Sequence, residues 1–133
     1  MSGVAIARYL LANNLTLTAV VSASKIFAGT IPLNTELPAI GITQISGTQR
    51  ATVSMSDTSR LVTERVQITV AAKTYPQQKL LLNLVRGSLP LSRGVVNSFD
   101  CDSILLDSEG PDIYDQGAEI YEQSQDFFIR FNR

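Results

Sequence analysis

From Leu61 to Ala72 apolar and polar residues alternate. Val62, Val66, Ile68, Val70 and Ala72 fall on one side, and Thr63, Arg65, Gln67, Thr69 and the following Lys73 on the other. Glu64 is the single charge on the apolar side. One dry face and one wet face predict a strand of an antiparallel sheet covered on one side. The period then changes. Pro76 suits the first turn of a helix, Leu80, Leu81, Leu84 and Val85 recur at helical spacing, and Gln78, Lys79, Asn83 and Arg86 are expected to face water. Gly87 is a plausible terminator and Pro90 forbids continuation. Burying four such aliphatic side chains is worth about 1.5–3 kcal/mol each before entropy, so this helix is expected to be a principal cover of the sheet.

The remaining elements are read in the same way. Residues 2–12 predict a short amphipathic helix with Ser2 as N-cap, a stripe of Ile6, Tyr9 and Leu10, and an end at Asn13 or Asn14. Residues 14–38 read as irregular, with a helical turn near Leu17–Val21. Ala39–Ser46 and Arg50–Met55 read as strands, the first with a bulge where its alternation slips between Ile42 and Ile45. Residues 47–60 read as an exposed hairpin arm or loop. Val95–Leu106 reads as one strand with Val95, Phe99, Cys101 and Leu105 on one face. Ile120–Phe131 reads as another, with Phe127, Ile129 and Phe131 inward. The order is α-β-β-β-α-β-β. The expected class is α+β: one domain over 1–133, a mostly antiparallel sheet of four to five strands, and two main helices on one face.

Composition removes chemistry. The 133 residues contain no His, no Trp and one Cys. That excludes an imidazole base, a Ser-His-Asp or Cys-His arrangement, a structural zinc site and an internal disulfide. No phosphate-binding glycine motif appears. Eleven Lys and Arg against twelve Asp and Glu give a net charge of -1, unlike a dedicated nucleic-acid binder. The apolar N-terminus is interrupted by Arg8 and Asn13-Asn14, so a helix is favoured over a targeting segment, and a soluble chain is expected.

Three features remain as candidates. Cys101, flanked by Asp100 and Asp102, reads as a buried hydrophobe rather than a reactive thiolate. Asp100 and Asp102 form a D-x-D pair that a strand would place on one face, the minimal geometry for a divalent metal, although a solvated strand face is the commoner use. Asp107, Glu109, Asp112 and Asp115 surround Gly110-Pro111 without the spacing of a calcium loop. Charge is also segregated: nine of the twelve acids lie between Arg93 and Arg130, where no basic residue occurs. A monomer is expected to gain little from this, whereas a head-to-tail ring would set the acidic segment of one copy against the basic face of the next.

Several segments, in order, carry a resemblance: AIARYLLANN as an N-terminal helix; KIFAGTIPLNTELPAIGITQISG, a short strand passing through a proline to an extended one; TERVQITVAAKTYPQQKLLLNLVRGSL, a strand running into a leucine-rich helix; and SILLDSEGPDIYDQGAEIYEQSQDFFIRF, an acidic turn and a final strand. The chain resembles the tail-completion or tail-terminator proteins of long-tailed bacteriophages and prophages. Residues 47–60 match least.

The resemblance implies an α+β domain that forms a ring, commonly a hexamer, on the head-proximal end of the tail tube. Such a ring stops tube polymerisation and docks head-completion or neck proteins. DNA passes through its lumen without specific binding. No catalytic residue, cofactor or membrane is implied. The protein would be assembled in the bacterial host cytoplasm and reside in the virion. Candidate interface or lumen residues are Arg50, Arg60, Arg65, Asp100, Asp102, Asp112 and Asp115. Rival readings are a head-tail connector or neck protein, a monomeric peptide-binding module, and a metal-dependent enzyme using Asp100 and Asp102.

Overall fold

The computed structural model describes residues 2–50, 61–89, 94–96 and 99–132. Three helices, α1 (Ser2–Ala12), α2 (Leu15–Thr18) and α3 (Tyr75–Ser88), accompany seven strands: β1 (Ile26–Ala28), β2 (Ala39–Arg50), β3 (Leu61–Ala72), β4 (Gly94–Val96), β5 (Phe99–Glu109), β6 (Ile113–Asp115) and β7 (Ile120–Asn132). They form one sheet among the described residues, in the order β1-β2-β3-β7-β5-β4, with β6 beside β7. All pairs are antiparallel except β1 with β2. The α+β class stands. The sheet is mixed and larger than the four or five strands expected, and the element order gains a helix and three short strands.

β3 follows its pattern throughout. Val62, Val66, Ile68 and Val70 are buried, and the alternate residues are half-buried. On β7, Phe127, Ile129 and Phe131 are buried while Phe128 and Arg130 are exposed. These two central strands hold the core against α1 and α3.

Where the pattern misleads, the cause is local. β1 is three residues long, too short to show a period, and the parallel pair it makes closes through the long connection to Ala39. Residues 47–50 continue β2 through Gly47 rather than opening a loop, and Arg50 is its last residue. The strand expected at Arg50–Met55 otherwise lies outside the described residues, as does the rest of the arm, 51–60. The slip in β2 is real: the register shifts between Gln44 and Ser46, leaving Ile45 as the extra residue.

The expected strand Val95–Leu106 is two strands, and a second shift between Cys101 and Ser103 reverses its faces. Val96, Cys101 and Ile104 are buried, while Val95 and Leu105 are exposed. The acidic turn contains β6, which continues along the same strand after Gly110-Pro111.

The helices rotate relative to expectation. α1 buries Val4, Ile6, Ala7 and Leu11, and Tyr9 is exposed. Its first residue is Ser2 itself, so Ser2 does not stand outside as a cap. Asn14 instead caps α2, its side-chain oxygen accepting from the Leu17 N–H at 3.0 Å. Thr74 caps α3 by accepting from the Gln77 N–H at 3.3 Å. α3 buries Gln78, Leu81, Leu82 and Val85, Leu80 is 49% exposed, and the helix runs through Gly87 to Ser88.

Glu64 resolves the one break in the β3 pattern. It is buried on the helix side and accepts a hydrogen bond from the Gly3 N–H at 2.8 Å, in the first turn of α1. A carboxylate there satisfies an otherwise orphaned donor and faces the positive end of the helix. A Cβ at Gly3 would overlap the Glu64 carboxylate, so only glycine permits this approach.

Candidate interaction surface

Pairing β3 with β7 and β7 with β5 brings distant charges together. On the uncovered face, Arg65 donates to Asp126 Oδ2 from Nε at 3.0 Å and from Nη2 at 2.6 Å, and lies 3.2 Å from Asp107. The hydrogen bond to Asp126 is the main reason the Arg65 pKa is raised. The guanidinium also stands 6.0 Å over the Phe128 ring, and Leu105 is the next residue across, on β5.

At the end of the sheet beside α3, Asp112 accepts from Tyr75 Oη at 2.8 Å and from Lys79 Nζ at 2.7 Å. Lys79 also donates to Gln123 Oε1 at 2.7 Å. The hydrogen bonds from Lys79 and Tyr75 hold the Asp112 carboxyl below the usual range, and the bond to Asp112 raises Lys79. Tyr121 packs between Tyr75 and Tyr114, with ring centroids at 6.0 and 4.5 Å. A third link joins Arg86 to Glu109 at 2.7 Å, and Gln125 donates to the same carboxylate.

These contacts overturn the expectation that a monomer gains little from its charge segregation. Arg65, Lys79 and Arg86, from the basic part of the chain, neutralise Asp126, Asp107, Asp112 and Glu109 from the acidic part within one molecule. Sequence distance concealed this, because β7 lies between β3 and β5 in space.

The seven candidate residues do not converge. Arg50 and Asp100 belong to the rows at one end of the sheet, where Leu61 and Asn132 pair. Asp100 is exposed and accepts from Asn132 Nδ2 at 3.2 Å. Asp102 is the extra residue of the β5 irregularity, so it does not share the regular face expected with Asp100. Arg65 is central. Asp112 and Asp115 are at the opposite end, where Asp115 accepts from the Gly117 N–H at 3.0 Å and closes the β6–β7 turn. Arg60 lies outside the described residues. Among the described residues no group of three or more Asp, Glu or Cys is placed to hold a metal. Cys101 is buried and its thiol pKa is pushed up by burial and then by Asp102, the opposite of thiolate activation.

Sequence reasoning missed what lies on the strand edges. Among the described residues β4 covers β5 at Phe99–Cys101 and β1 covers β2 at Ile40–Ile42. Exposed apolar side chains sit beyond both covers: Ile45 at 49%, Leu105 at 60% and Leu106 at 43%. The bulge signal at Ile45 was the only hint in the sequence. A cleft of about 570 Å³ lies between residues 31–37 and the β6–β7 turn and includes Lys73, Asp115 and Glu122.

No protein-family model matches the chain, and no curated protein matches its sequence. A solved structure shares the fold. A chain in the virion of a native gene transfer agent particle superposes with a TM-score of 0.69, covering 98% of this chain and 94% of that one at 12% identity. The likeness spans both proteins nearly end to end. Among the described residues, no helix is long and apolar enough to cross a membrane.

Proposed function

We propose that this chain is a structural, non-enzymatic component of a phage-like virion, and within it a tail terminator. The observation that carries the reading is the end-to-end fold match to a virion chain of a gene transfer agent particle. The ordered resemblance of its segments to tail-completion proteins points to the head-proximal end of the tail. In this reading copies of the chain form a ring, probed first as a hexamer. One ring face engages the tail tube, the other receives the head-completion or neck protein, and DNA passes through the lumen. The mechanism is geometric: one face copies the tube's contact and the other does not, so polymerisation stops.

Light scattering over a wide concentration range tests the ring, with an expected species of about six times the 14.5 kDa chain. Because the principal charge pairs close within one molecule, raised salt is expected to leave that mass largely unchanged. Adding the protein to polymerising tail tubes tests the terminator role. Tubes seen by electron microscopy should carry a cap at one end and stop growing there; uncapped tubes that continue to grow reject the reading.

A further inference from the structure

We infer that two partly uncovered strand edges, on β2 and β5, pair with each other between neighbouring copies of this chain. The inference rests on the ring reading and names the surface that builds it. Beyond Ile42 no described strand lies on the outer side of β2 at Ile45–Thr48, and beyond Cys101 none lies on the outer side of β5 at Leu105–Glu109. Pro111 bounds the β5 stretch, since it has no N–H to offer a partner. Uncovered edges are templates for another extended chain, and soluble proteins usually blunt them with lysine or proline. Neither stretch contains Lys or Pro. Each instead exposes aliphatic side chains, Ile45 on one and Leu105 and Leu106 on the other.

The partner that fits is a second copy. β2 runs antiparallel to β3, β3 to β7 and β7 to β5, so β2 and β5 run in opposite directions at the two flanks of the sheet. Two copies in the same orientation therefore meet as an antiparallel pair, as rotational symmetry requires.

The edges are also offset. Leu105, Phe128, Arg65 and Ser46 form one row across the sheet. From that row β2 is open towards Arg50 and β5 towards Glu109. Full engagement slides one copy along its neighbour by a few residues, about 10 Å at ~3.4 Å per residue. Such a stagger is what tilted strands produce in a closed sheet. The bulges at Ile45 and beside Asp107 add the local twist and bend that closure needs.

Disulfide trapping tests this in the full chain, with Cys101→Ala as background. Ser46→Cys with Glu109→Cys, which a slide of about three residues brings opposite one another, is expected when both are in one chain to give a non-reducing ladder of covalent multimers ending at the ring's copy number. Either cysteine alone should stop at dimers. Ile45→Lys and Leu105→Lys should each reduce the assembled fraction at least tenfold without changing circular dichroism or the melting midpoint. Leu80→Lys, equally exposed on α3, should assemble normally. Rings that form without the ladder, and survive both edge lysines, overturn edge pairing and leave the ring reading standing. A chain that stays monomeric at every concentration and gives no ladder overturns the ring itself. Monomers that bind an extended peptide at these edges also overturn the inference.

Discussion

Gln78 gives a sharp test of how the fold is held. It lies on α3, fully buried, and neither Nε2 nor Oε1 of its amide has a hydrogen-bond partner. An unpartnered buried amide costs about 1–3 kcal/mol. Gln78→Met keeps the side-chain length and nearly its volume while removing both polar atoms. No hydrogen bond is lost, so the substitution is expected to stabilise the protein by about 1–3 kcal/mol. For a chain of 133 residues, unfolding entropy near 2 cal/mol/K per residue converts each kcal/mol into roughly 4 °C. The melting midpoint should therefore rise by about 4–11 °C. Urea titration should show a higher midpoint at unchanged m-value. Gln125→Met is the comparison: Gln125 Nε2 donates to Glu109 at 3.2 Å while its Oε1 has no partner, so its replacement should stabilise less than Gln78→Met. A fall of more than about 1 kcal/mol in Gln78→Met refutes the reasoning, since the amide would then have a partner such as a buried water.

Gly3→Ala should lower the melting midpoint by several degrees, because the new methyl displaces the Glu64 carboxylate from the first turn of α1. Arg65→Met should destabilise detectably in urea titration, since Asp126, 13% exposed on its side chain, loses the two hydrogen bonds that its Oδ2 accepts. The Tyr75–Asp112–Lys79 clasp has a pH window. Asp112 is lowered, so its contribution is present above the ordinary carboxylate range and lost as pH falls through its depressed value. Lys79 is raised, so its contribution is present below the ordinary lysine range and lost as pH rises through its elevated value. An NMR titration should show the Asp112 shift, and Lys79→Met should move the Asp112 titration back towards the ordinary range. Cys101 should react with a thiol reagent only at the rate of unfolding, and rapid labelling of the native protein would contradict its burial.

The long elements were legible because each has one partner on each side and one dry face. β3 shows this over its full length, and the inward aromatic residues of β7 did the same. What escaped the sequence depended on neighbours. Ile104 and Leu105 exchanged faces because a register shift precedes them, and a shift is set by β7, not by β5 alone. Gln78 and Leu80 exchanged places because helix rotation follows where the sheet lies, and four leucines in a row of seven residues permit more than one stripe. β1, β4 and β6 are each three residues, too short to show alternation. The acidic segment stands out in the sequence, but its partners lie on β3 and α3 of the same molecule, which sequence distance hides. The uncovered edges among the described residues were signalled only by the slip at Ile45, since an uncovered edge is a property of strand order.

The placement of Gly3 and Asn132 carries one more consequence. Gly3 is tied to Glu64, in the row of Gly47 and Ile129, and Asn132 pairs with Leu61 beside Arg50. Both lie towards the same end of the sheet, while Tyr75, Asp112 and the β6–β7 turn occupy the other. A fluorophore or affinity handle attached at residue 132 therefore marks one end of the molecule and leaves the tyrosine end clear. In any assembly of like-oriented copies, such labels would report which pole faces a partner, turning a stability contact into a compass for the particle.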